Sequence, residues 1–221
     1  LFLGGFVLAF AATKVGLDVQ LAKVLLKPFG KNPKTVLLGL LLVIGVFSMF
    51  MSNTATAAMM LTFLTPILLT LPADGGGRIS LALAIPIAAN IGGMGTPIGT
   101  PPNAIALGAL QEAGYNITFV DWMVRMVPFV VVMLLIAWVL LFKMFPFKAK
   151  SIELNIEAKP TKTTPFQKYV VWVTFALTII LWVGESLFKV NSNIVAMIPF
   201  AVFSATGILK SRDLEHINWS V

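Results

Sequence analysis

The sequence predicts an all-α integral membrane protein. Of its 221 residues, 58% are hydrophobic and only 11% are charged, whereas charged residues make up about a quarter of ordinary soluble domains. Several apolar runs approach the roughly 20 residues that a helix needs to cross a bilayer. A soluble domain of this length could not bury so much apolar surface, so composition alone favours membrane insertion.

The charge distribution argues against a nucleic-acid partner. The net charge is +7, but the lysines lie in connectors between apolar runs, which is the pattern that membrane orientation imposes. The chain has no cysteine, which excludes a disulfide framework and a thiolate metal site. Its single histidine, His216, lies in a polar connector and carries no functional signal.

The first elements are the end of a membrane helix and a surface helix. Residues 1–13 are apolar from the start, so we expect them to finish a transmembrane helix within an internal fragment of a longer chain. Residues 14–34 interleave lysines with apolar residues, which predicts an amphipathic helix lying at the membrane interface. Gly30 and Pro33 are expected to end it.

A polar tip between two apolar arms predicts a re-entrant helical hairpin over residues 36–71. The apolar arms, 36–51 and 57–71, look short for full spans and flank the polar residues 52–56. Non-helical backbone inside a membrane is tolerated only against protein or a watery cavity. We therefore expect the tip to lie at an interior site.

The next segment, residues 79–110, is predicted to be a broken transmembrane helix. Glycines and prolines are concentrated between Gly92 and Asn103, and neither residue type continues a helix well. Two half-helices with an unwound middle follow from this composition. The remaining elements are transmembrane helices at 123–142, 169–188 and 193–208, a connector at 143–168, and the truncated start of another membrane segment at 209–221.

Basic connectors predict the orientation of this multi-pass chain. Lysines or arginines are concentrated in the connectors 23–34, 143–168 and 209–216, while the 111–121 loop contains acids and no basic residue. Basic loops face the cytoplasm, so we expect these three connectors on the cytoplasmic side of an inner or plasma membrane. A re-entrant hairpin at 36–71 places them all on one side, although two full crossings would give the same parity.

Neutral oxygen donors are concentrated at the hairpin tip. The residues are Ser48, Ser52, Asn53, Thr54 and Thr56. Hydroxyl, amide and backbone oxygens are ligands that a hard cation such as sodium accepts. The alternative is that these side chains bond back to their own helices or help helices pack.

The broken helix offers a second set of polar groups. Gly99 leaves its carbonyl accessible, Thr100 adds a hydroxyl, and a new half-helix can begin near Asn103. The free N–H groups and positive end of such a half-helix can hold a small anion. The alternative is a proline kink that only bends the helix. Paired interruptions of this kind indicate a transporter binding site.

Other charged residues are expected to be structural. Glu185 and Lys189 are four residues apart and predict an ion pair. Within residues 36–110 the only acid is Asp74, which weighs against a proton relay. The sequence contains no catalytic acid–base pair or metal cluster, so we do not expect an enzyme.

Two motifs resemble those of a known family. Ser52-Asn53-Thr54 at the tip resembles the Ser-Asn-Thr signature of the divalent-anion/sodium symporter family, and the stretch from Gly92 to Asn103 is similar to that family's broken fifth helix. The resemblance implies a fragment of an inverted-repeat, elevator-type transporter that works as a homodimer. It also implies that residues 14–34 link a scaffold to a moving transport domain. A second Ser-Asn-Thr hairpin is absent from this sequence.

The same resemblance implies the site residues and the function. Ser48, Ser52, Asn53 and Gly99 would bind Na+, and Asn53, Thr54 and Thr100 would bind the substrate. The expected function is sodium-coupled symport of di- or tricarboxylates or similar divalent anions. The alternatives are a sodium-independent dicarboxylate exchanger of the same fold and, from a different class, a channel or membrane assembly subunit. The sequence leaves the identity of the anion open.

Overall fold

A computed structural model of the chain describes residues 2–73, 75–153 and 163–210. These residues form helices joined by turns and contain no strand. The helices are α1 (Phe2–Val15), α2 (Leu17–Leu26), α3 (Pro33–Phe50), α4 (Asn53–Thr70), α5 (Gly76–Gly93), α6 (Pro101–Glu112), α7 (Phe119–Met144), α8 (Pro165–Val183), α9 (Glu185–Phe188), α10 (Ser192–Val195) and α11 (Met197–Ala205). A 3-10 turn over Lys27–Phe29 follows α2.

Four helices, α3, α4, α7 and α8, are long and apolar enough to cross a membrane. A fifth span is possible if Gly4–Val15 and Leu17–Phe29 are counted together, but these two segments bend by 81°. The prediction of an all-helical chain with several membrane spans is confirmed. The bend lies at Gly16, whose φ of 72° is in the left-handed region that glycine adopts readily.

Helix bounds in the first half differ from the sequence-based expectation. α3 and α4 each have 18 residues, so both arms of the 36–71 segment are longer than expected. The reason is local capping: Asn32 caps α3 ahead of Pro33, and the Ser52 hydroxyl accepts a hydrogen bond from the Ala55 N–H. The interruption is therefore confined to residues 51–52.

Later bounds differ as well. The interruption between α5 and α6 covers residues 94–100, narrower than the expected 92–103. The segment expected at 169–188 is divided at Gly184 into α8 and α9, and the one expected at 193–208 is a shorter helical stretch, Ser192–Ala205. The expected membrane entry at 209–221 and most of the 209–216 connector lie outside the described residues, as do residues 154–162 of the 143–168 connector.

Buried apolar residues form two clusters. The first surrounds α3, which is enclosed by α2, α4, α5 and α7 and supplies the fully buried Leu37, Leu41 and Ile44. The second joins α1 to α8, α10 and α11 around Trp182 and Phe203. Ile98, from the interruption between α5 and α6, belongs to the second cluster, so this interruption lies where the two clusters meet.

The start of α3 and the end of α4 lie at the same end of the first cluster. Near the end of α7, the Trp138 Nε1 donates a hydrogen bond of 2.9 Å to the Lys34 carbonyl at the start of α3. The start of α5 lies there too, because a Cβ on Gly76 would come within 2.7 Å of the Phe145 carbonyl carbon. Only residues 71–75 join α4 to α5, which places the end of α4 at the same end.

Two basic segments are joined at this end. The Ile152 N–H donates to the Lys31 carbonyl at 2.8 Å, and the Lys31 ammonium lies 2.5 Å from the Glu153 carboxylate. The connector that precedes α3 and the one that follows α7 therefore share one end of the bundle. This is the arrangement that the charge distribution requires.

α3 and α5 cross with their backbones in contact. A Cβ atom on Gly92 would overlap the carbonyl of Gly45, and the atoms it would meet are all backbone. The crossing lies within two turns of the end of each helix, at Phe50 and Gly93. It therefore brings the two interruptions side by side.

We predict that Gly92→Ala lowers the melting temperature of the full-length protein in detergent. The added methyl meets backbone that cannot move aside, and overpacking of this kind costs about 1–3 kcal/mol. Gly108→Ala is the matched control, because a Cβ there meets nothing within 4 Å. At that helical position alanine is favoured by about 1 kcal/mol. Equal melting temperatures for the two variants would contradict the prediction.

Candidate functional site

The site is built where the end of α3, the start of α4 and the end of α5 meet. Ser48 is fully buried in the last turns of α3. Its Oγ lies 2.7 Å from the Asn53 Oδ1 at the start of α4 and 2.7 Å from the Ala89 carbonyl oxygen of α5. A serine has one hydroxyl proton, so it donates to one of these two acceptors at a time.

The Asn53 side chain spans the gap between the hairpin tip and α5. Its Nδ2 donates a hydrogen bond of 3.1 Å to the Asn90 Oδ1. A Cβ on Gly93 would overlap the Asn53 Oδ1, so glycine is required there for the amide to approach α5. Asn53 therefore makes contacts on both sides of the junction between the two interruptions.

The interruption between α5 and α6 is held from within by Asn103. This side chain is 6% exposed and belongs to the first turn of α6. Its Nδ2 donates to the Gly93 carbonyl at 2.8 Å and to the Thr96 carbonyl at 2.7 Å. It thereby satisfies carbonyls that the end of α5 leaves without a helical partner.

Two further side chains bind the interrupted backbone from outside. The Thr96 hydroxyl donates to the Met49 carbonyl of α3, and the Trp122 Nε1, in the first turn of α7, donates to the Met94 carbonyl at 3.0 Å. Helix ends in an apolar environment need such partners. The loop between α5 and α6 is therefore fixed to α3 on one side and to α7 on the other.

The structure brings together three of the residues predicted to bind sodium. Ser48 and Asn53 are in direct contact, and a Cβ on Gly99 would come within 2.9 Å of the Ser48 carbonyl oxygen. Ser52 occupies the position before α4, where its hydroxyl accepts from the Ala55 N–H at 3.2 Å. Its oxygen thus has a capping role in this structure.

The two threonines predicted to face substrate lie at helix starts. Thr54 is exposed in the first turn of α4, and Thr100 precedes α6 without a side-chain capping bond. In the described part of the chain, no hydrogen bond joins either threonine to Ser48, Asn53 or Gly99. Thr56 is fully buried on α4, and its hydroxyl has no hydrogen-bond partner.

The arrangement is electrically neutral. Within residues 36–110, the described charged residue is Arg78, whose guanidinium binds the Leu69 and Leu71 carbonyls at the α4–α5 turn, away from the site. The site itself offers hydroxyl, amide and carbonyl oxygens together with the N-termini of α4 and α6. Hard cations accept the oxygens, and helix N-termini favour anions.

Some contacts were not anticipated from the sequence. Asn90 and Trp122 were missed, and one expectation was wrong: Glu185 does not pair with Lys189. Its carboxylate instead accepts from the Phe119 N–H at 2.9 Å and the Ser192 N–H at 3.4 Å. Lys189 ends α9 with a φ of 53°, which breaks the helical register that the ion pair requires.

The spans and the paired helix interruptions define a polytopic membrane protein. Over residues 1–221 the sequence matches the family described as citrate transporter. The chain belongs to the citrate transporter family, whose members are transporters and not enzymes. The resemblance to anion carriers inferred from the two motifs is confirmed at this level.

The names of individual relatives give different substrates. The low-affinity phosphate transporter PHO90 of Saccharomyces cerevisiae is 35% identical over 197 residues, which cover 87% of this chain and 22% of the relative. The sodium-dependent dicarboxylate transporter SdcS of Staphylococcus aureus (strain USA300) is 33% identical over 253 residues, covering 100% of this chain and 48% of the relative. The chain thus spans less than half the length of these curated relatives.

We predict that Asn103→Leu destabilises the full-length protein by about 2–3 kcal/mol. The substitution removes two buried hydrogen bonds, which leaves the Gly93 carbonyl without its side-chain partner and the Thr96 carbonyl with only the 3.3 Å bond from the Gly99 N–H. Each lost bond costs about 1 kcal/mol or more. A thermal or denaturant melt in detergent measures the loss. Asn116→Leu makes the same chemical change at an exposed loop position and should leave stability nearly unchanged. A similar loss in both variants would contradict the role assigned to Asn103.

Proposed function

We propose that the full-length protein is a secondary active transporter that couples Na+ to the uptake of di- or tricarboxylates or similar divalent anions. The observation that carries the proposal is the meeting of two interrupted helices around Ser48, Asn53 and Gly99. Inside a membrane protein such interruptions are tolerated where they are buried in protein or line a watery cavity, and paired interruptions indicate a transporter binding site. No charged side chain is needed to bind an ion there.

Sodium binds at the α3 side of the junction in this proposal. The ligands are the Ser48 and Ser52 hydroxyls, the Asn53 Oδ1 and the Gly99 carbonyl. The close approach of Ser48 to Asn53, 2.7 Å between oxygens, supports a shared ligand position. To bind sodium, the Ser52 hydroxyl oxygen must either give up the hydrogen bond that it accepts from the Ala55 N–H or use its second lone pair.

The anion binds beside the sodium ion. Asn53, Thr54 and Thr100 lie at the starts of α4 and α6, where free N–H groups and positive helix ends favour negative charge. A bound sodium ion adds a full positive charge to these partial charges. Substrate therefore binds the sodium-loaded protein more tightly, which is the thermodynamic basis of coupling.

Transport is proposed to follow an elevator mechanism in a homodimer. α3 and α4 form a re-entrant hairpin that belongs to the moving domain, and the 14–34 segment joins that domain to a scaffold. The 81° bend before α2 and its exposed Val24, 66% accessible, support a helix that lies along the interface. The hairpin requires the return of α4 to the end where α3 began, and two full crossings would satisfy this requirement equally.

The basic connectors are proposed to face the cytoplasm, in an inner or plasma membrane. Segments 23–34 and 143–168 meet through Lys31 and its contacts with Ile152 and Glu153. The third connector, 209–216, follows Ile208, whose carbonyl accepts from the Lys14 ammonium at 2.9 Å near the bend before α2. The first two connectors meet at one end of the bundle, and their positive charge favours that end as cytoplasmic.

Inorganic phosphate is a second candidate substrate. The observation that favours it is the 35% identity to a relative named as a phosphate transporter. Hydrogen phosphate, like succinate, carries two negative charges and several acceptor oxygens. Helix N-termini accommodate either group, so the substrate must be decided by competition.

We predict that proteoliposomes containing the full-length protein take up radiolabelled anion only with an inward sodium gradient. Citrate, succinate and phosphate are tested as substrates and as competitors. Asn53→Ala removes the amide that both sites share and should reduce uptake at least tenfold. Ser48→Ala should raise the sodium concentration needed for half-maximal uptake by about tenfold, equivalent to about 1.4 kcal/mol.

Asn116→Ala is the control for loss of an amide, since Asn116 lies in an exposed loop. Uptake that is unchanged both without sodium and in Asn53→Ala would overturn the proposal. Saturable counterflow without sodium would favour the exchanger instead. Conduction without saturation would favour a channel, and the absence of any flux would favour an assembly subunit.

A further inference from the structure

Two acceptors on α5 face the two side chains that offer oxygens at the site. The Ala89 carbonyl lies 2.7 Å from the Ser48 Oγ, and the Asn90 Oδ1 lies 3.1 Å from the Asn53 Nδ2. These acceptors belong to adjacent residues in the last turns of α5. Asn90 interrupts an otherwise apolar stretch from Ile87 to Gly93.

The polar groups of Ser48 and Asn53 each present a hydrogen as well as a lone pair. A hydroxyl donates one proton and accepts at its oxygen, and a carboxamide has an acceptor half and a donor half. A cation requires that both oxygens face it and that the hydrogens point elsewhere. Without other acceptors, the Ser48 proton would remain on the Asn53 Oδ1 at 2.7 Å and occupy the lone pair that the cation needs.

We propose that Asn90 is a positioning residue for cation binding: its Oδ1 holds the Asn53 amide so that the Asn53 oxygen faces the ion. The inference rests on the proposed sodium site. When the ion enters, the Ser48 proton turns from the Asn53 Oδ1 to the Ala89 carbonyl. The Asn53 amide keeps its N–H on Asn90, so that both oxygens are released together and no donor points at the ion.

Asn53 cannot hold this orientation through Ser48 alone. A serine hydroxyl bonds to either half of an amide, because it can donate or accept. If the Ser48 proton rests on Ala89, a flipped Asn53 could donate its N–H to the Ser48 oxygen and exclude the ion. With Asn90 oriented as it is in this structure, a flipped Asn53 would place two acceptor oxygens against each other, so the unproductive orientation requires both carboxamides to turn over together.

The test measures sodium and anion affinity separately in the full-length protein. Sodium is titrated against potassium at constant ionic strength, and binding is followed by melting temperature. Asn90→Leu removes the acceptor at similar size and should weaken sodium binding about five- to tenfold, the effect of losing one hydrogen bond. Asn90→Asp supplies an obligate acceptor and should bind sodium at least as well as the wild type. Anion affinity at saturating sodium should be unchanged in Asn90→Leu.

The outcomes separate this inference from the proposed function. Absence of sodium binding in the wild type would overturn both. Sodium binding in the wild type with an affinity within twofold in Asn90→Leu would overturn only the role of Asn90. Equal weakening by Asn90→Asp would show that the acceptor is not the cause, and loss of anion affinity at saturating sodium would make Asn90 an anion contact. If Asn90→Leu does not fold, Asn90→Ala removes the same acceptor without apolar bulk.

Discussion

The backbone contact between α3 and α5 is the constraint on which the site depends. Gly92 allows α5 to lie directly against the Gly45 backbone of α3, because a Cβ at position 92 would overlap that backbone. Each helix ends shortly beyond the crossing, so this contact sets the separation between the two interruptions. Ser48 and Asn90 each lie within one turn of the crossing, and this is why both side chains reach the Asn53 amide.

The interruptions are largely buried helix ends, and side chains bind several of their backbone carbonyls. Thr96 binds the Met49 carbonyl, Asn103 binds Gly93, and Trp122 binds Met94. Each of these bonds stabilises a carbonyl that would be costly to leave unpaired in an apolar medium. In the proposed sodium site, the Ser48 and Asn53 side chains exchange their present contacts for an ion. That site would combine a fixed backbone with side chains that change partners.

Local patterns were sufficient to predict the interruptions and insufficient to predict what holds them. Glycine and proline at 92–102 and polar residues at 52–56 act within a few residues, so both breaks could be located from the sequence. The hairpin tip was predicted to cover residues 52–56. Ser52 caps α4 instead, so the helix begins at Asn53 and the interruption is shorter than predicted. Asn90 and Trp122 depend on the packing of α5 against α4 and α7, which no local signal reports. Glu185 was misread because the αL conformation of Lys189 overrides helical spacing.

The neutrality of the site has a consequence for coupling. Partial charges at helix ends amount to about half a unit each and are confined to the first turn, so they offset a dianion only in part. A bound cation adds about 4 kcal/mol for unit charges about 4 Å apart at an effective dielectric constant of 20. Coupling free energies of about 1–3 kcal/mol are typical of linked binding sites, so even a heavily screened ion is sufficient to produce coupling of this size. A fixed lysine or arginine in the same place would bind the anion whether or not sodium were present and would abolish the coupling. In the proposed mechanism the described site residues carry no permanent charge, and anion binding would therefore depend on the ion.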